Sequence, residues 1–183
     1  MGGWIAIGVV VILVLALVGM YNGLVRLRNT VQEAWGQIDV QLKRRHDLIP
    51  NLVQTVKGYM KHEQETLEKV IKARQMAVDA KNMGERMQAE NMLTNTLRSL
   101  FAVQENYPQL KADQHASQLM EELTSTENKI AFARQRYNDV VLQYNNKRES
   151  VPSNVIAGMF NFKEADFFKE EDEAVREAPK VSF

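Results

Sequence analysis

Few groups in this chain could do chemistry: it has three histidines, no cysteine, and 23 acidic against 23 basic side chains. His62-Glu63 opens as the helix of a zinc protease opens, but Thr66 stands where a second imidazole would have to share the same helical face. None of His46, His62 and His115 has a glutamate three residues before it, which removes the carboxylate and histidine pairs of di-iron helical proteins. The glycines form no phosphate-cradling loop or dinucleotide fingerprint, and no thiol can act as nucleophile, form a disulfide or carry a lipid. Zero net charge gives no nucleic-acid signature. The expectation is a non-enzyme with no catalytic residue, metal, cofactor, small-molecule substrate or nucleic-acid partner.

What the spacing does support is packing. Ala112, Ala116, Leu119, Leu123, Thr126, Ile130, Ala133, Tyr137, Val140 and Tyr144 alternate steps of four and three, which lays them in one stripe along a helix. A helix from about Pro108 to Glu149 would be ~60 Å long. Such a helix holds together mainly by burying its stripe against other helices.

The residues along this spine also carry a resemblance. Tyr107 to Ala112, Glu127-Asn128-Lys129-Ile130-Ala131 with Arg134, and Tyr137-Asn138 repeated one heptad later as Tyr144-Asn145 resemble the LemA family of bacterial membrane-associated proteins. Upstream, Tyr21-Asn22-Gly23-Leu24-Val25, Glu33-Ala34-Trp35, Ile38 to Arg45, Asp47 to Val53 and His62-Glu63 extend it; downstream, Pro152-Ser153-Asn154 and Ile156-Ala157 do so. His115 and Val151 stand where the resemblance leads one to expect aromatic side chains. It implies a membrane-tethered four-helix bundle without an agreed biochemical activity, and membrane metalloproteases as candidate partners.

Gly2 to Val25 holds no charged side chain, and eleven Ile, Leu and Val residues lie between Ile5 and Val18. At roughly −0.3 to −0.6 kcal/mol each these favour insertion by ~3 to 7 kcal/mol, so the segment reads as a spanning helix in membrane lipid. Trp4 and Tyr21 are about 26 Å apart along a helix and suit interfacial anchors on either side of a ~30 Å hydrocarbon layer. A cleaved signal peptide fits less well, because the basic start and a small-residue cleavage site are missing. Arg26 and Arg28 follow the span and no Lys or Arg precedes it. The expected placement is a single-pass signal-anchor in the bacterial inner membrane, N-terminus outside and the remainder in the cytoplasm.

The expected fold is all-α: a transmembrane anchor over residues 1–22 continuing into an up-down antiparallel four-helix bundle over 23–149, with a partly ordered apolar and acidic tail over 150–183. The first bundle helix is predicted to stop near Arg45, with Lys43, Arg44 and Arg45 complementing its C-terminus, Asp47 capping the next helix and Pro50 in its first turn. That second helix would run from Leu48 to Lys81, with Glu63 and Arg74 at the edge of its apolar stripe. A turn at Asn82 to Gly84 leads to a third helix, and Met76, Met83, Met87 and Met92 are expected to fill gaps in the core near that turn. A second helix of ~50 Å would overrun the ~36 Å of the first that lies outside the membrane, so a bend is predicted between Gly19 and Gly23.

The tail supplies the candidate interaction surface. Val155, Ile156, Met159 and Phe160 fall on one face of a short helix, and Phe162, Phe167 and Phe168 follow it. So much apolar surface must be covered by the bundle, the bilayer interface, a second copy or a partner. The last residues, Pro179 to Phe183, resemble a weak strand-adding motif. Two function classes result: a membrane-anchored scaffold that self-associates as a homo-oligomer, coiled-coil fashion, and an adaptor or regulator of a membrane protein such as a metalloprotease.

Overall fold

The computed structural model describes residues 2–169, and the Pro179 to Phe183 motif lies outside them. The protein is all-α: 84% of the described residues are helical, and they form α1 (Gly2–Val56), α2 (Gln64–Asp79), α3 (Met83–Gln104), α4 (Pro108–Ala112), α5 (Gln114–Glu149) and α6 (Ser153–Met159) without a strand. They fall into two compact units. One holds α1 through Val40 together with Ala131–Phe167; the other holds Gln41–Ile130, joined by Phe168 and Lys169.

The first difference from the sequence expectation is at Pro50, which lies inside α1 instead of opening a second helix. An interior proline costs ~3 kcal/mol or more. Against it stand Ile49, Leu52 and Val56, all fully buried, each worth ~1.5 to 3 kcal/mol. They continue the three-four stripe of Ile38, Leu42 and Arg45 only if the helix continues too. The backbone cost is met directly: Pro50 has no N–H for the His46 carbonyl four residues back, and Arg74 Nε donates to that oxygen at 2.7 Å. Arg74 thus has a structural task. Glu63, the other polar residue near the stripe, accepts from the Tyr107 hydroxyl at 3.3 Å.

A shorter α2 follows, 16 residues or ~24 Å. The length conflict that called for a bend is gone, and α1 is helical without a break through Gly19 to Gly23. In the second unit one core joins Ile49, Leu52 and Val56 of α1, Leu67 and Val70 of α2, Leu93, Leu97 and Leu100 of α3, Leu110 of α4, and Ala116, Met120 and Leu123 of α5. Of the four methionines near the turn, Met87 is buried and Met76, Met83 and Met92 are exposed, so gap-filling holds for one of them. Asn82 opens α3 by accepting the Glu85 N–H at 2.9 Å.

The spine is interrupted at Asp113, whose extended backbone separates α4 from α5. Its carboxylate takes the Ala116 N–H at 2.9 Å and the Tyr59 hydroxyl at 2.8 Å, so it restarts the helix as a cap. Those two hydrogen bonds, the backbone one foremost, hold the Asp113 carboxyl below the usual carboxylate range. Beyond it Ala116, Leu123, Thr126, Ile130, Tyr137, Val140 and Tyr144 are buried and Leu119 and Ala133 half-buried, as the stripe requires, whereas Ala112, just before the break, is exposed.

Candidate functional site

The sequence residues proposed as an interaction surface divide into two kinds. In the first unit, Ile156, Ala157 and Phe162 pack with Leu24 and Tyr144 in a small core that Met20, Tyr21 and Val25 border. Val155, Met159 and Phe160 face outward, 60%, 72% and 57% exposed. Phe167 is half-buried, and Phe168 is buried in the second unit, where the Lys169 carbonyl accepts from Asn91 Nδ2 at 2.9 Å. Ile156, Phe162 and Phe168 are therefore core, because folding back buries part of the tail on the chain itself. Val151, like the outward three, is exposed.

Of the four residues expected to anchor the chain in the membrane, Tyr21 and Arg28 meet this region. Trp4 is exposed with the apolar run around it. Tyr21 packs its ring on Phe160 at 4.8 Å and edge-on to Phe162 at 5.7 Å. Arg28 places its guanidinium 5.4 Å from the centre of the Phe162 ring, and Arg26 is exposed.

What holds the tail in place was not foreseen from the residues. Tyr144 donates its hydroxyl to the Lys163 carbonyl at 2.7 Å, and Tyr137 donates to the Asp166 carbonyl at 2.8 Å. Between them Asn145 grips Ala165 twice, Nδ2 to the carbonyl at 2.9 Å and Oδ1 from the N–H at 3.0 Å. Seven residues of helix rise ~10.5 Å. Three steps of extended chain cover ~10 Å. The Tyr-Asn heptad repeat is thus a receptor for extended backbone, and the tail runs antiparallel to α5 along it. Burial raises the pKa of both phenols, and the nearby Asp166 charge adds to the rise at Tyr137. Both therefore stay protonated donors at any ordinary pH.

The second unit contains a buried ionic cluster. Arg45, expected at a solvated helix end, is fully buried and bonds through one terminal nitrogen to the Glu90 carboxylate, which is also fully buried. Its other terminal nitrogen reaches Glu127 Oε1 at 2.6 Å and Thr94 Oγ1 at 2.8 Å. His46 Nε2 lies 2.9 Å from Glu90 Oε1, poorly aligned for a hydrogen bond. Burial is the largest influence on Glu90 and opposes its ionisation; His46 and Arg45 together outweigh it and hold the pKa below the usual glutamate value. The spacing signal existed. Arg45 occupies the stripe position between Leu42 and Ile49, and Glu90 the one between Met87 and Leu93 or Thr94. Among the described residues no group of three His, Cys, Asp or Glu side chains is arranged to hold a metal ion.

An N-terminal stretch of α1 is long and apolar enough to cross a membrane, and none of it is buried in the protein. A helical protein with such an apolar N-terminal helix, a Tyr-Asn receptor on its last long helix and a folded-back tail is the class defined by these observations. A model of the LemA family matches residues 34–183, and the chain belongs to that family. It is similar to Protein LemA of Metamycoplasma hominis, 28% identical over 144 positions that cover 76% of this chain and 64% of that protein. It is also similar to magnetosome proteins MamQ 1 and MamQ 2 of Paramagnetospirillum magneticum, each 25% identical over 187 positions covering 88% of this chain and 69% of theirs. The chain spans less than two thirds of the length of the Metamycoplasma hominis protein.

Proposed function

We propose that this chain is a non-catalytic, membrane-anchored helical scaffold that acts by self-association, with its N-terminus outside and its folded part in the cytoplasm of a bacterial inner membrane. The observation that carries the reading is the wholly exposed apolar run at the start of α1, on the same helix whose later turns are buried in protein. Arg26 and Arg28 directly after it favour the cytoplasmic orientation. Phe132 and Leu142 on α5 are exposed apolar side chains of the first unit that a second copy would cover. Arg45 and Glu90, both fully buried, hold each other, which suits structure better than turnover. Relatives named as magnetosome proteins suit a membrane-associated role.

The second reading, an adaptor or regulator of another membrane protein such as a metalloprotease, draws on α2 and α3. There Ile71 and Val78, one heptad apart, and Met76, Met83 and Met92 are exposed. The mass of the detergent-extracted assembly separates the two. A multiple of the 21.0 kDa chain supports the scaffold, whereas a single copy in complex with a different membrane protein favours the adaptor. A reporter active only in the periplasm, fused to the C-terminus, should be silent; activity would reverse the orientation.

A further inference from the structure

We infer that α6 and the turn that follows it form a foot seated in the headgroup layer of the bilayer that α1 crosses, with Val155, Met159 and Phe160 reaching toward the acyl chains. The inference rests on the membrane-anchored reading and adds to it a second point of contact. Its basis is level. Tyr21 lies near the end of the uncharged run that begins before Trp4, and the two aromatic residues are ~26 Å apart along α1, close to the thickness of the hydrocarbon layer. Phe160 is in ring contact with Tyr21, so whatever depth Tyr21 takes, Phe160 takes as well.

The direction of the exposed face is fixed by what is buried behind it. Ile156, Ala157 and Phe162 sit against Leu24 and Tyr144, and the hydrogen bonds from Tyr144 and Asn145 to Lys163 and Ala165 hold the following chain on α5. Val155 and Met159, one turn apart, are left outward with Phe160. An apolar edge with cations beside it is the pattern of an element lying in a membrane interface. Arg28 stacks over Phe162, and Arg26 and Lys163 are exposed close by in sequence. Basic side chains at this level suit anionic headgroups. Lipid is favoured over a second copy because the foot's apolar surface continues directly from the membrane-crossing run, through Met20 and Tyr21.

The chain has no cysteine, so single reporters can be placed at will. Met159→Cys, Val40→Cys and Leu13→Cys, each carrying an environment-sensitive nitrobenzoxadiazole label, are reconstituted as full chains in phosphatidylcholine vesicles containing phosphatidylglycerol. Val40 is exposed on the same unit and ~28 Å further along α1 than Tyr21; it shares the leaflet side of Met159 and serves as the aqueous reference. The expected result is blue-shifted emission at Met159→Cys, quenching by lipids with spin labels near the headgroup, and reduction by dithionite several-fold slower than at Val40→Cys. Removing phosphatidylglycerol should weaken that protection. Equal dithionite rates at the two positions, with Leu13→Cys lipid-quenched, would overturn the foot and leave the anchor standing. Protection of Met159→Cys without lipid quenching would overturn it in favour of a protein cover. A Leu13→Cys label open to water would remove the anchor and the foot together.

Discussion

Two clusters, one in each unit, bury polar groups by opposite means. In the first, Tyr137, Tyr144 and Asn145 are neutral donors and acceptors spent on the backbone of the tail. In the second, Arg45, Glu90 and Glu127 are charges spent on one another. A neutral hydrogen bond adds ~1 kcal/mol net, and losing it costs about that much. A buried ion pair adds little net stability, yet removing one partner costs ~3 to 5 kcal/mol because the other is left charged in a poorly solvated place. The units should therefore fail differently. The tail should loosen by degrees, while the ionic cluster should hold or collapse.

The sharpest break is Arg45→Met. It leaves Glu90 and Glu127 without their cation and should lower stability by ~3 to 5 kcal/mol, a large share of the ~5 to 15 kcal/mol typical of a folded protein. Urea melts at neutral pH measure it. The pH dependence should also reverse in sign. In the parent, Glu90 has a folded pKa below its unfolded value, so its contribution is present above the unfolded value and is lost as pH falls through the folded one. In Arg45→Met burial acts on Glu90 with less opposition. Its pKa should rise, and the variant should recover stability on mild acidification. A variant that melts with the parent at every pH would show that the cluster carries no stability.

Next in size is Arg74→Met, which returns the His46 carbonyl to an unsatisfied state beside Pro50. The expected cost is ~1 to 3 kcal/mol. Pro50→Ala supplies an N–H for that carbonyl, so Arg74→Met in the Pro50→Ala background should cost clearly less. Additive losses in that cycle would disprove the compensation.

Tyr144→Phe removes one donor from the tail and should cost ~1 kcal/mol, seen as faster tryptic cleavage after Lys163 with little change in the melting of the second unit. The alkaline limb belongs to the same comparison. Tyr137 and Tyr144 have raised folded pKa values, so their contribution is complete below the ordinary phenol value of about 10 and is lost as pH climbs through the folded values. Cleavage after Lys163 should therefore speed up at high pH in the parent and do so less in the double Tyr→Phe variant. The smallest effect is expected from Arg28→Gln, ~0.5 to 1 kcal/mol for an exposed cation over Phe162, read as a slight rise in the same cleavage rate.

What the sequence disclosed was what periodicity can carry. The stripe from Ala116 to Tyr144 and the apolar run before Arg26 are each a repeated pattern over many residues, and each kept its character in the structure. The exceptions were single residues whose usual behaviour was overruled by a distant partner. Pro50 ordinarily opens a helix, but Arg74 supplies the missing donor from 24 positions away. Arg45 looks like a cation at a helix end, but Glu90 and Glu127 draw it inside. The Tyr-Asn repeat was plain in the sequence as a motif. Its use was hidden, because the partner is main chain and main chain leaves no signature in residue type.

That last pairing has a consequence for how the gene can vary in length. The two phenols are fixed by the helix, and one residue inserted between them would swing the second through about 100°. One residue inserted between Lys163 and Asp166 would move the far carbonyl by ~3.3 Å and turn it to the opposite side. Neither change can be absorbed by the other, since the helix and the extended chain agree only where seven residues meet three. Insertions and deletions should therefore be barred from both stretches at once. They should collect instead in the short connection between Glu149 and Ser153, where Val151 is exposed and the chain lies outside both stretches and outside α6.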